Sequence, residues 1–356
     1  MDKIVFAVVG TGWRAQFFLR CAQALPEQFA VCGVVARSRE KGLALQAQFH
    51  VPVYESAEAL LAKQVPDYAV VSVAASAAPE ITQAWVARGV PVLLETPAAP
   101  ELAALLPHDA PVQVAEQYFL RPMEQARLRY LEKRTLGTVV QARISFCNDY
   151  HAVSLMRKYL GVGFANCRIT AQKIIVPGYP GYERDGPHAQ WALQKREQVL
   201  AVLDFGSCAG VYDFEAMQHR SFIRSQFTQL KGTQGELMND DIRYLTAPDT
   251  FVHTRFLRCT MGEDVNIEGF GLKGIQGDGA WLYRNPFPNS RLTDDEIAVA
   301  ECMARMGTYV RTGEPFYPLA EGMQDAYLSR LIAQAAASGT PVESQTQTFA
   351  EAPCAC

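Results

Sequence analysis

The chain has 356 residues, 49% of them hydrophobic and 20% charged, with a net charge of −4. This length exceeds what one core usually holds and predicts two domains of ordinary globular composition. The mild acidity excludes a general electrostatic attraction for nucleic acid or an anionic membrane surface.

The apolar run from Ile4 to Val9 enters Gly10-Thr11-Gly12-Trp13-Arg14-Ala15 and then a helical pattern. A short apolar run ending at glycines and opening onto a helix reads as a buried parallel strand feeding a helix through a tight turn, the seat of a dinucleotide pyrophosphate. Gly10 permits the turn, Gly12 lets the backbone approach phosphate, and Ala15 allows close helix packing, while N–H groups at the helix start face the anion. Thr11, Trp13 and Arg14 border the same loop, the last two adding bulk and charge. The run is too short for a membrane span and lacks a small-residue cleavage site, so it reads as a core strand and not a signal peptide, and a cytoplasmic location is expected.

A second apolar strand spans 29–36 and ends at Arg37-Ser38-Arg39. An NAD-selective site usually has an acidic residue here to hold the ribose hydroxyls. Arginine and serine instead suit a 2′-phosphate, so Arg37 and Ser38 favour NADP(H), with NAD(H) the alternative. A solvated loop is the plain structural reading of the same residues.

Further along, 52–54 reads as a short strand, 57–63 as a helix, 68–74 as a strong strand, 79–88 as a helix closed by Gly89, and 91–95 as a strand. Apolar strands alternating with helices make a doubly wound parallel sheet, with ligands at the carboxyl ends of its strands. That puts Ala74, Ser76, Glu95 and Thr96 on one crevice with Gly10 and Gly12.

From about Pro122 the pattern changes to an amphipathic helix over 123–133, stopped by Gly137, and a strand over 138–145. Strands are predicted at 199–205, 209–214, 221–230 and 281–283 with no helices between them, which argues for an open, largely antiparallel sheet. Its uncovered face predicts a homo-oligomer, dimer or tetramer. Helices at 294–311 and 320–338 close the chain. The expected division is a dinucleotide-binding domain over 1–121, an α/β substrate and oligomerisation domain over 122–345, and a frayed tail over 346–356. The nine cysteines form no CxxC pair, and Cys354 and Cys356 read as exposed thiols, so neither a metal site nor a disulfide framework is expected.

The glycine loop, Glu95-Thr96-Pro97, the helix from Pro122 to Gly137, the segment Tyr150-His151-Ala152 through Gly161, and Gly232-Thr233-Gln234-Gly235-Glu236 together resemble the glucose/fructose oxidoreductase, inositol dehydrogenase and MocA family. The resemblance implies a Rossmann domain, a C-terminal open-sheet domain, a nicotinamide cofactor, and sugar, polyol or related substrates. It also exposes two departures. The family usually has Glu-Lys-Pro, its lysine beside the nicotinamide and the reacting carbon. Thr96 carries no charge there and either orients substrate or only lines the cofactor pocket. The family commonly places an aspartate four residues before the histidine, where this chain has Cys147. His151 is then the remaining acid/base group, with Asp149 or Tyr150 as helpers.

Gln117 stands where the family often has an asparagine and is expected to hydrogen-bond nicotinamide or substrate. Arg121 reads equally as a ligand contact or an interdomain salt bridge. The tyrosines of 177–186 suit stacking on a sugar ring or burial at a subunit contact. Gln218 to Arg224 reads as an alternating strand, by default a solvated strand end, with one set of side chains reaching the substrate cleft as the alternative. The function expected is an NAD(P)-dependent oxidoreductase, the alternative a catalytically silent nucleotide-binding regulator of the same fold.

Overall fold

The computed structural model describes residues 3–183, 186–261 and 271–350. The N-terminal unit alternates β1 (Ile4–Val9), α1 (Trp13–Ala24), β2 (Phe29–Val35), α2 (Arg39–Phe49), β3 (Val53–Tyr54), α3 (Ala57–Leu61), β4 (Tyr68–Val71), α4 (Ala78–Val86), β5 (Val92–Leu94), α5 (Leu102–Leu105) and β6 (Val112–Val114). Its six strands are parallel in the order β3-β2-β1-β4-β5-β6. The order reverses between β1 and β4, so the crevice opens above the carboxyl ends of these two strands. The strands are buried on both faces: Phe6, Val8, Tyr68, Leu93 and Leu94 are all essentially inaccessible. Each such large side chain removed from water contributes roughly 1.5–3 kcal/mol, which explains why their sequences do not alternate.

α6 (Pro122–Leu131) leads into β7 (Val139–Ser145), α7 (Asp149–Leu160) and the long β8 (Arg168–Gly178). After a two-residue ladder of β9 (Tyr182–Glu183) with β10 (Gly186–Pro187) come β11 (Gln194–Asp204), β12 (Ala209–Glu215), β13 (Phe227–Gly232), β14 (Gly235–Met238), β15 (Asp241–Ala247) and β16 (Thr250–Arg255). β17 (Leu257–Thr260), β18 (Leu272–Gly277) and β19 (Ala280–Arg284) form a small separate sheet. α8 (Asp294–Thr312), α9 (Leu319–Ser338) and β20 (Val342–Glu343) complete the chain. The large second sheet has the order β16-β15-β14-β13-β7-β12-β11-β8-β20. Its pairs are antiparallel except β12 with β7. α7 and α9 cover one face; on the other, Leu200 and Val202 of β11 stay exposed.

α8 returns to the first unit, where Tyr68 donates its phenol proton to Met303 O (3.1 Å) and Arg20 pairs with Glu296 (3.1 Å). The capping box of Thr293 and Glu296 starts this helix.

Several expectations need correction. α2 was not foreseen, because it buries only Gly42, Leu45 and Phe49 and has no strong apolar stripe. The strand expected over 221–230 begins only at Phe227; Met217 in the left-handed region (φ 66°) ends β12, and Gln218–Arg220 forms a single 3-10 turn. The tail is held beyond Thr346, since Phe349 is buried and its carbonyl meets His108 Nε2 at 3.3 Å. Residues 351–356, with Cys354 and Cys356, lie outside the described residues, as do Arg184 and Asp185 of the tyrosine-rich loop.

Candidate active site

Gly10 and Gly12 serve different ends. Gly10 has φ +121°, and a Cβ there would sit 2.1 Å from Ser72 O, so β1 can turn beside β4 only with glycine. A Cβ on Gly12 would meet nothing within 4 Å; it would project from the N-cap of α1 into open space. The first turn of α1 carries no acidic residue. Its N–H groups therefore face a cleft of about 1420 Å³ lined by Gly10, Thr11, Gly12, Trp13 and Arg14.

At one end of this cleft Arg37, Ser38 and Lys41 share the start of α2. Ser38 is its N-cap, and its Oγ accepts from Lys41 N–H at 3.4 Å. Neither Arg37 nor Lys41 makes an ion pair among the described residues. Glu55 and the Glu58–Arg88 ion pair border the same end. Lys41 was missed from sequence because α2 itself was not recognised. Ala74 and Ser76 line the cleft from the turn after β4, closed by Ala77 N–H to Ala74 O at 2.9 Å.

Arg14 turns toward Glu95, with its Nε 3.2 Å from Oε2, and stacks over the Phe17 ring at 4.8 Å. Glu95 Oε1 accepts both the N–H (3.2 Å) and the hydroxyl (3.1 Å) of Thr96. The Arg14 charge is thus committed to the carboxylate that fixes Thr96. Tyr150 lines the cleft with Thr96, and burial and the carboxylates Glu116 and Glu95 push its phenol pKa up. It stays a neutral donor and acceptor.

His151, in the first turn of α7, is 7% exposed and sits between the rings of Tyr118 (4.1 Å) and Tyr150 (4.4 Å). Its Nδ1 lies 2.6 Å from Glu116 Oε2, and Glu116 Oε1 accepts Tyr118 N–H at 2.9 Å. A carboxylate can only accept, so the network places the proton on Nδ1 and leaves Nε2 for the cleft. Sequence reasoning missed Glu116; its one signal was a carboxylate two residues after the end of the apolar strand β6. Cys147 supplies no replacement for the family aspartate: it is buried, lies off the cleft, and desolvation raises its thiol pKa well above the ordinary value. Asp149 faces away, accepting from Tyr212 at 3.1 Å, so of the two expected helpers only Tyr150 reaches the cleft.

Gln117 is 3% exposed, lines the cleft, and its Oε1 has no hydrogen-bond partner. An orphaned amide oxygen at this depth is costly unless a ligand donor reaches it, and a carboxamide N–H₂ is such a donor. The open Gly12, the helix start and this oxygen together fit a nicotinamide dinucleotide. Arg121 reads as the interdomain salt bridge, 3.7 Å from Asp295 and stacked over Tyr118, and does not line the cleft. Among its described residues the tyrosine-rich loop also lies off the cleft: Tyr179 stacks on Trp191 and Tyr182 meets Phe222 edge-on. His219 and Arg220 do line it, from the 3-10 turn.

The architecture is an α/β fold in which a six-stranded parallel sheet of Rossmann order is followed by a largely antiparallel sheet, with α7 and the glycine loop lining one cleft. Residues 4–112 match the sequence profile of the GFO/IDH/MocA oxidoreductase family, which has an NAD-binding Rossmann fold. A search of curated protein sequences finds no match. Among solved structures, the fold is similar to an oxidoreductase from Agrobacterium radiobacter in complex with NAD+, L-tartaric acid and magnesium (TM-score 0.68, 15% identity, 96% of this chain and 98% of that one). It is also similar to a myo-inositol dehydrogenase from Corynebacterium glutamicum (TM-score 0.65, 15% identity, 97% and 100% of the two chains). A third is a levoglucosan dehydrogenase in complex with NADH and levoglucosan (TM-score 0.68, 14% identity, 96% and 99%).

Proposed function

We propose that the chain is an NAD(P)-dependent oxidoreductase acting on a hydroxyl or carbonyl of a sugar, polyol or related small molecule. The observation that carries this reading is the grouping of Thr96, Gln117, Tyr150 and the His151–Glu116 pair on the cleft that the glycine loop opens onto. The nicotinamide, when bound, supplies the hydride chemistry. Gln117 Oε1 holds the carboxamide, and Gly12 leaves room for the pyrophosphate at the start of α1. Thr96 and Tyr150 orient the reacting oxygen. His151 Nε2 takes the hydroxyl proton in oxidation or returns it in reduction, with Glu116 holding the tautomer. The family's lysine charge is not replaced; a neutral hydroxyl pair stands in its place.

Arg37, Ser38 and Lys41 favour the 2′-phosphate of NADP(H), and Glu55 at the same end is the group that opposes it. Sugar-like substrates are supported by the named activities of the neighbours on inositol and levoglucosan. The exposed Leu200 and Val202 on the outer sheet face support association with a second copy of the chain. Among the described residues no helix is long and apolar enough to cross a membrane.

The test is to load the protein with oxidised or reduced cofactor and follow nicotinamide absorbance with neutral sugars, polyols, keto-sugars and sugar acids. Turnover with any of them, lost in His151→Asn, is expected. A protein that binds cofactor and turns over none is a nucleotide-binding regulator instead.

A further inference from the structure

The substrate end of the cleft carries a cation, Arg220, that has no carboxylate partner among the described residues. Arg220 is half-buried and lines the cleft together with Asn148, Tyr150 and His151. Its position is fixed through Gln218, a buried residue whose amide accepts Glu215 N–H (3.0 Å) and donates to Ser145 O (3.1 Å), Ser145 Oγ (3.0 Å) and Ser225 O (2.6 Å). These bonds clamp the 3-10 turn to the last residue of β7, three positions before Asn148 and the start of α7. Arg220 is therefore held beside the helix that presents His151, away from Arg37 and Lys41 at the start of α2.

The neighbouring charges do not neutralise it. Arg196 and Arg224 both pair with the single carboxylate of Glu215 (2.5 and 2.7 Å), which is therefore already committed to two cations. Among the carboxylates on or behind this part of the cleft, Glu95 holds Arg14 and Thr96, Glu116 holds His151 and Tyr118 N–H, and Asp295 faces Arg121. Among the described residues none pairs with Arg220. His219, stacked nearly parallel on Phe214, lies beside it on the cleft wall. A half-buried guanidinium without a carboxylate partner is a fork of donors suited to two oxygens of one anion.

We propose that the substrate is anionic, a sugar or polyol bearing a carboxylate or a phosphate ester, and that Arg220 binds that group while the reacting carbon lies near His151. This rests on the oxidoreductase reading for what the cleft is, and adds which members of the broad substrate class it takes. A neutral sugar would leave the guanidinium to water; an acidic one would satisfy it and be placed by it at a fixed distance from the proton-handling group.

The experiment measures binding, so it does not depend on turnover. The full chain saturated with NADPH is titrated with gluconate, glucuronate, glucose 6-phosphate and glucose, for wild type, Arg220→Gln and Arg220→Lys. At least one anionic probe should bind wild type more tightly than glucose. Arg220→Gln should lose about 10- to 100-fold of that affinity, the range for a hydrogen bond to a charged group. Arg220→Lys should recover part of it, and the NADPH titration should be the same in all three. The carboxylate and phosphate arms tell the two anion sources apart. The proposal is overturned if glucose binds as well as every anion, if no anion binds, if Arg220→Gln binds the anions unchanged, or if it loses NADPH instead, which would make Arg220 a cofactor contact. Cofactor turnover with the same probes decides the oxidoreductase reading separately.

Discussion

Glu116→Gln removes one charge from the centre of the candidate site without changing its shape, and the hydrogen-bond inventory fixes what must follow. In the native protein the two carboxylate oxygens accept from two different donors, His151 Nδ1–H at 2.6 Å and Tyr118 N–H at 2.9 Å. Glutamine offers one oxygen and one N–H₂, so it cannot accept from both. Glu116 is 1% exposed, so bulk solvent does not make up the loss. Leaving the backbone donor of Tyr118 unsatisfied costs about 1–3 kcal/mol. The imidazole has the cheaper alternative of moving its proton to Nε2, so the amide keeps its oxygen on Tyr118 and His151 changes tautomer. Nε2 then carries a hydrogen toward the cleft and cannot take a proton from substrate. A wrongly protonated imidazole forfeits general acid/base catalysis, roughly 10²- to 10⁴-fold in turnover. The tautomer is read directly from the ¹⁵N shifts of His151, assigned by difference from His151→Asn. The turnover loss is read by single-turnover cofactor reduction, with cofactor affinity as the control for folding. If Glu116→Gln leaves both the His151 tautomer and turnover unchanged, Glu116 has no positioning role.

Four further outcomes are expected. Arg37→Ala and Lys41→Ala should each weaken NADPH binding several-fold more than NADH binding, by about 1 kcal/mol or more for a charge-assisted contact; equal losses for the two cofactors in fluorescence titration would remove the basis for a 2′-phosphate site. His151→Asn should depress turnover about 10²-fold or more with little change in cofactor affinity, and undiminished turnover would assign the proton to another group. Gly10→Ala places a Cβ against Ser72 O at positive φ and should cost several kcal/mol, measured as a lower melting temperature. Gly12→Val should leave the melting temperature near wild type and abolish the cofactor's effect on it, because its side chain meets only the cleft. A stable Gly10→Ala, or a Gly12→Val that still binds cofactor, would contradict these separate roles.

The sequence by itself determined the Rossmann half. Its strands are buried on both faces, so they stand out as continuous apolar runs, and the turn at Gly10 is local chemistry between adjacent residues. It also placed Thr96 and Gln117 after strands whose ends meet the crevice, the family resemblance singled out His151, and the open-sheet class of the second domain followed from strands without intervening helices. The edges were weaker: β8 and α2 carry too few buried residues for a clear period, and the turn at 218–220 depends on Gln218 reaching β7. Only the tertiary structure paired His151 with Glu116, because the partners are 35 positions apart in sequence and meet where β6 and α7 come together. It likewise turned Asp149, Tyr179 and Tyr182 away from the cleft, moved Arg121 into a salt bridge, and brought Lys41 and Arg220 onto the cleft walls. Residue type and local period are written along the chain; which carboxylate faces which imidazole is set by how separate elements pack.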